Sequence, residues 1–233
     1  MKLENYDDFI RILLTSGFSL GGGKAEGIFS IVNHDWYAPN PLDPIQWHTG
    51  DIQTDPWEWR YRVLKEHNDI AYSKPFFKKS GFITEAFYPY FLRLRRTDAD
   101  FEAAYFNGKI SHIAKRIYDV VQDNPELQSH EIKRMAGFDK TEKSKFDAAV
   151  VELQMGLYIT ISGASKKRSV RGEEFGWDVS ELSTTEYFWR HSDVFARASA
   201  CTEAEAFEEI RVRVLDLNPL ADEKKIYKFA YGK

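Results

Sequence analysis

A helix-rich α+β protein is the fold class this chain predicts, and three observations predict it. Apolar residues recur mainly at the i, i+3, i+4 spacing of one helical face, while alternating stretches are few. The regular strand-helix alternation that builds a parallel sheet is absent. The densest basic cluster, Lys166-Lys167-Arg168-Ser169-Val170-Arg171, follows directly on a strand-like run that two short helices precede. Helix, turn, helix and basic hairpin in that order is the layout of a winged helix, placed at about 106–182. An aromatic N-terminal region at 1–105, open to reading as a degenerate winged helix, and C-terminal helices at 183–233 packed on the same body complete the expectation. The predicted architecture is therefore tandem winged-helix-like with a C-terminal helical cap.

Taken in chain order, Tyr6 to Leu14 reads as a short helix with Phe9, Ile10, Leu13 and Leu14 on its buried side, followed by Gly17-Phe18. Gly21-Gly22-Gly23-Lys24 invites a phosphate-loop reading, but the sequence before it makes no convincing strand and the spacing is not that of a Walker motif, so a flexible turn is expected. His34 to Pro44 is proline-rich yet aromatic, which predicts a packed loop. Asp55-Pro56 is an N-cap and first-turn pair, starting a helix to about His67 with Trp59, Val63 and Leu64 inward. Ala71 to Ile83 interleaves lysines with aromatics, either to stack bases or, more plainly, to place Phe76, Phe77 and Phe82 in the core. Phe87 to Arg96 reads as a helix whose closing Arg93, Arg95 and Arg96 complement its C-terminal dipole.

The expected winged helix opens with Ser111 to Asp123, where Ile110, Ile113, Ala114, Ile117 and Val121 share a face. Ser129 caps a second helix with Ile132, Met135 and Ala136 inward, closed by Gly137. Thr141 caps a third, with Phe146, Ala149, Val150 and Leu153 inward and Gly156 at its end. Leu157 to Ser162 is a strand that Gly163-Ala164-Ser165 turns over, and the return strand lies between Glu174 and Ser180. Beyond it, Ser183-Thr184-Thr185-Glu186 and Thr202-Glu203-Ala204-Glu205 have capping-box spacing, predicting helices at about Thr184 to Ala198 and Glu203 to Leu215. A last helix spans Ala221 to Ala230.

Composition narrows the function classes. With 233 residues, 43% hydrophobic and 15% aromatic, the chain can pack one large or two small cores. One cysteine, Cys201, excludes an internal disulfide and a thiolate metal set, which suits a reducing cytoplasm. No metal and no cofactor is expected. There is no apolar run of transmembrane length, so a membrane partner is not expected either. A net charge of -4 means that any nucleic-acid surface must be local.

Such a surface is expected on the third helix, where Lys140, Lys143 and Ser144 lie outside the apolar stripe with Asp147 and Glu152, and on the wing at Lys166, Lys167, Arg168 and Arg171. DNA is the expected partner; the plain alternative is a solvated hairpin on a protein-interaction module. A second concentration of chemistry is Trp47-His48-Thr49-Gly50-Asp51-Ile52-Gln53-Thr54-Asp55-Pro56-Trp57. Asp55 is explained as a cap. Asp51 and Gln53 lie in the turn ahead of the helix, either as chemistry or as an Asx turn with a solvated amide. Trp36, Trp47, His48 and Trp57 would wall an aromatic pocket beside them.

The turn-helix from Gly50 to Arg60, after an aromatic helix-and-loop region and ahead of a winged helix, resembles the AlkZ (YcaQ-like) alkylpurine DNA glycosylases, and most nearly the shorter AlkZ-related proteins. The resemblance runs from about Tyr6 to Trp189. It implies tandem winged helices around a DNA channel and hydrolysis of the N-glycosidic bond of alkylated bases by a Gln-x-Gln pair. In the natural register Ile52 and Thr54 occupy the two glutamine places and Gln53 points to the other side of the turn, although a slip of one residue would restore a single amide. The resemblance thus implies an altered site, with Asp51 as the residue placed to polarise a water or a developing oxocarbenium. A non-catalytic regulatory or protein-interaction module is the rival.

Overall fold

The computed structural model describes residues 2–33, 42–168 and 172–233, Arg168 by its backbone alone. They fall into two compact units, Met1–Arg95 with Asp193–Lys233, and Arg96–Ser192. Within each unit helices combine with antiparallel strands, so the chain is α+β and rich in helix. No helix among the described residues is long and apolar enough to cross a membrane.

The first unit contains α1 (Tyr6–Ser16), β1 (Phe18–Leu20), α2 (Pro56–Glu66), β2 (Ile70–Phe76), β3 (Lys79–Thr84) and α3 (Tyr88–Arg95). β3 is the middle strand, paired antiparallel with both β1 and β2. The β2–β3 hairpin was hidden in the lysine-aromatic run. Its two loop residues, Phe77 and Lys78, both have positive φ, at 50° and 62°, the backbone of a type I′ turn without the asparagine and glycine that usually announce one. Pro75 cannot donate to a ladder, and the register slips between Ser73 and Phe76 as it must. Phe76 and Phe82 are buried and Phe77 half-buried.

Two aromatic clusters fill this unit. Phe9, Trp59 and Phe82 meet at ring separations of 4.9 and 5.2 Å; Phe18, Phe76, Phe91 and Phe229 meet at 4.2 to 5.7 Å. Each ring contributes about 1.5–3 kcal/mol through burial. Phe229 comes from the C-terminal helices of this unit, which pack on α3.

In the second unit α4 (Phe101–Phe106) precedes α5 (His112–Asp123), β4 (Leu127–Gln128), α6 (Ser129–Met135), α7 (Lys143–Met155), β5 (Ile159–Arg168), β6 (Glu174–Thr184) and α8 (Thr185–Phe188). β6 is central, antiparallel to β5 and β4. Ala114, Ile117, Val121, Ile132, Phe146, Ala149, Leu153, Ile159 and Leu182 form the core. Ser111 caps α5 by accepting the Ala114 N–H at 3.1 Å, and the Glu152 carboxylate takes its N–H at 2.7 Å and its hydroxyl at 2.8 Å. Glu152, expected on the free face of the third helix, is spent on this tie.

Several local expectations are corrected. Gln128, not Ser129, is the N-cap of α6, and its amide reaches β5 instead, at the Ser165 hydroxyl and carbonyl and the Lys166 carbonyl. Met135 is 45% exposed rather than inward. Ahead of α7 the Asp139 carboxylate organises the start, accepting from the Thr141 N–H and hydroxyl and the Glu142 N–H. Thr141 is donor there and not cap. Those bonds hold the Asp139 carboxyl below its ordinary pKa.

Gly163 does not turn the hairpin: the strand runs on to Arg168, with a register slip between Ile161 and Gly163. A Cβ at Gly163 would stand 2.7 Å from the Glu181 carboxylate, so the glycine serves a close approach at a bulge. The single helix expected from Thr184 to Ala198 is two, α8 and α9 (Val194–Ala200), which belong to different units. Then come α10 (Glu203–Leu217), with the expected Thr202–Glu205 capping box formed in both directions, and α11 (Glu223–Tyr231).

Candidate functional site

Asp55 builds the turn ahead of α2. Fully buried, it accepts the Trp57 N–H at 2.8 Å through one carboxylate oxygen and the Gly50 N–H at 2.9 Å through the other. The N–H groups of Thr54 and Asp55 close the loop on the Asp51 carbonyl at 3.2 and 2.8 Å. Outside it, the Tyr6 N–H donates to the Gln53 carbonyl at 2.8 Å, and Arg62 donates to the Ile52 carbonyl at 2.9 Å. The Arg62 guanidinium lies 3.8 Å from the centre of the Tyr6 ring; burial pushes the Tyr6 phenol above its ordinary pKa, so it stays neutral. Since the buried carboxylate satisfies two backbone donors, Asp55→Ala should lower the free energy of unfolding by about 2 kcal/mol. Urea unfolding measures this, and an unchanged midpoint would show that the turn does not depend on Asp55.

From that pinned turn Asp51, Ile52 and Gln53 face solvent, and Thr54 is half-buried. The Asp51 Oδ1 accepts the Gln53 N–H at 2.8 Å, an Asx turn, while the Asp51 N–H donates to the Thr49 hydroxyl at 3.2 Å. Ile52 is thus exposed and Thr54 half-buried.

Three aromatic residues expected at the pocket come together beside it. The His48 ring is 4.9 Å from Trp57 and 6.3 Å from Trp47, and Arg60 lays its guanidinium 3.3 Å from the centre of the Trp57 ring. His48 has a φ of 60°, a left-handed backbone that costs a non-glycine residue about 1 kcal/mol or more. Trp47 packs on the glycine run: a Cβ at Gly22, whose φ is +128°, would stand 2.4 Å from its ring. Close approach of a tryptophan therefore explains Gly22. Trp36 lies outside the described residues.

In the second unit Lys140, Lys143 and Ser144 are exposed at and just before the start of α7, Lys166 is exposed and Lys167 half-buried. These four lysines have no ion-pair partner among the described residues, in contrast to Lys145, whose ammonium is 3.7 Å from Glu142. Arg168 closes β5, and Arg171 lies outside the described residues. What the sequence reading missed is on the return strand. Trp177 is 90% exposed and Phe175 51% exposed. Lys167 pairs with Phe175 and Ser165 with Val179, so Gly176, Trp177 and Asp178 bulge opposite Lys166 alone. The available signal was two large aromatics flanking a glycine on a strand whose core needs neither.

Helices with antiparallel strands, a capped turn edged by aromatics and a hairpin bearing cations and tryptophan characterise the chain. Compared with known families, the chain matches the one described as AlkZ related over residues 3–231, and it belongs to that family. No curated protein and no solved structure matches it.

Proposed function

We propose that this protein is a winged-helix DNA-binding protein that senses alkylated DNA without excising the base. The observation that carries the reading is the β5–β6 hairpin, which holds unpaired cations and an exposed tryptophan on adjacent strands. In this reading residues 106–182 are the winged helix. α7 and the turn before it present Lys143, Ser144 and Lys140 to a groove, and the hairpin is the wing, with its lysines on phosphates. The family supports DNA as the partner and repair as the setting.

In the first unit, Trp47, His48 and Trp57 with Asp51 and Gln53 form the patch that would hold an extruded base by stacking and hydrogen bonds. A reader is favoured over a glycosylase there for a chemical reason. Breaking a glycosidic bond needs a group that positions or deprotonates water. Isoleucine does neither, and one Asp51 oxygen is used to fold its own turn.

The test is a fluorescence titration against normal, abasic-analogue and alkylated duplexes, with an assay for released base alongside. The expected result is binding that favours the altered duplexes, with no base released. Base release that Asp51→Asn abolishes, with folding intact, would replace the reader by a glycosylase. Failure to bind any of the duplexes at low salt would make the protein-interaction module the better reading.

A further inference from the structure

A second aromatic surface lies far along the chain from the turn and the wing, on α10 and α11 of the first unit. A groove of about 440 Å3 is lined there by Phe207, Glu223, Lys224, Tyr227, Lys228 and Lys233. Tyr227 and Tyr231, one helical turn apart, stack at 4.3 Å and 28°. Phe207 from α10 closes on both, at 6.1 and 5.9 Å. Tyr227 is 42% exposed, more than packing of two helices requires. The Lys233 ammonium donates to the Tyr227 hydroxyl at 3.3 Å, 5.1 and 5.4 Å from the ring centres of Tyr227 and Tyr231, so it stands at the rim beside these rings.

Charge decides what else fits. The rim carries three lysines and one carboxylate, and the carboxylate is committed: Glu223 accepts from the Arg211 Nε at 3.0 and 3.1 Å and from its Nη2 at 2.7 Å. With Glu223 neutralised, the free charge at the rim is positive, which opposes a cationic guest. A flat ring that carries negative charge matches both parts, since the tyrosines stack the ring and the lysines meet the anion.

We propose that this groove binds a nucleobase bearing a phosphate, stacked against Tyr227 with its phosphate at Lys224, Lys228 and Lys233. This goes beyond the DNA-sensing reading, because it assigns a separate site for unpaired nucleotides that needs neither the wing nor the turn.

Fluorescence anisotropy of the full chain with a labelled twelve-residue oligothymidylate at low salt tests it. Tyr227→Ala should weaken binding about tenfold, the effect of losing one stacked base, while Tyr227→Phe should leave it unchanged. A strand of the same length built on base-free tetrahydrofuran sugars should bind the unaltered protein about tenfold more weakly. The exposed-site variant Lys224→Glu with Lys228→Glu should also lose affinity, and it gives a reading even where Tyr227→Ala perturbs the fold. Unlabelled thymidine monophosphate separates the two sources of the ligand. Displacement at matched nucleotide concentration assigns the site to free nucleotides, and displacement by the strand alone assigns it to single-stranded DNA. Wild-type affinity in Tyr227→Ala, or equal binding of the base-free strand, would overturn the proposal. Duplex binding should be untouched by Tyr227→Ala, so this site and the sensing role stand or fall separately.

Discussion

Replacing Arg95 by methionine should lower the free energy of unfolding by about 3–5 kcal/mol. Arg95 ends α3, and its guanidinium donates to three carbonyls: Ala230 at 2.9 Å, Phe229 at 2.6 Å and Pro75 at 2.7 Å. It also lies 5.3 and 5.6 Å from the ring centres of Phe91 and Phe76. Burial pulls its pKa down to about 9, which still leaves it charged at neutral pH. Methionine would fill much of the volume and leave the carbonyls of β2 and α11 in an apolar cluster with no donor. A cation that only complemented the dipole of α3 would be worth roughly 0.3–1 kcal/mol, so the magnitude separates the two roles. Arg95→Lys should also lose stability, because one ammonium cannot reproduce a planar fork spanning two elements. Urea or thermal unfolding of both variants measures it; a loss within the dipole range would show that the three bonds add little.

That role was not visible in the sequence, and the reason is general to this chain. Local chemistry was legible where the partner lies within a few residues. Asp55-Pro56 starts α2, and Thr202 with Glu205 boxes the start of α10. What the sequence hid depends on distant partners or on backbone that side chains do not advertise. Arg95 finds its acceptors 20, 134 and 135 residues away. Gly22 is explained by Trp47, and Gly163 by Glu181 across the hairpin, which is why the first invited a loop reading and the second a turn. Phe77 and Lys78 adopt a left-handed turn that their identities disfavour, so the β2–β3 hairpin passed for a basic-aromatic run.

The candidate site divides in the same way. That Asp55 is a cap and that Asp51 can form an Asx turn are both short-range facts, readable from the order of residues. The meeting of Trp47, His48 and Trp57 follows from how the turn folds around Asp55. Trp177 was missed because the register slip that turns it outward is a property of the paired strands and not of either strand alone.

Exchanging Lys166 and Lys167 together for alanine should weaken duplex binding and flatten its dependence on salt. Each phosphate contact releases condensed counterions, so losing two should shrink the slope of log K against log salt by about 1.8. Both side chains lack ion-pair partners among the described residues, and the strand that carries them is tied down by Gln128, so the change removes charge with little damage to the fold. Trp177→Ala should act differently. The indole is 90% exposed and uncharged; if it stacks on a base or wedges beside one, its loss should weaken binding on the order of tenfold with the salt slope unaltered. Titrations of both variants at several salt concentrations distinguish the terms, because charge appears in the slope and stacking in the intercept. A double lysine variant with the slope and affinity of the unaltered protein would remove the β5–β6 hairpin from the proposed DNA interface. A Trp177→Ala variant with wild-type affinity would leave the exposed indole to some other partner.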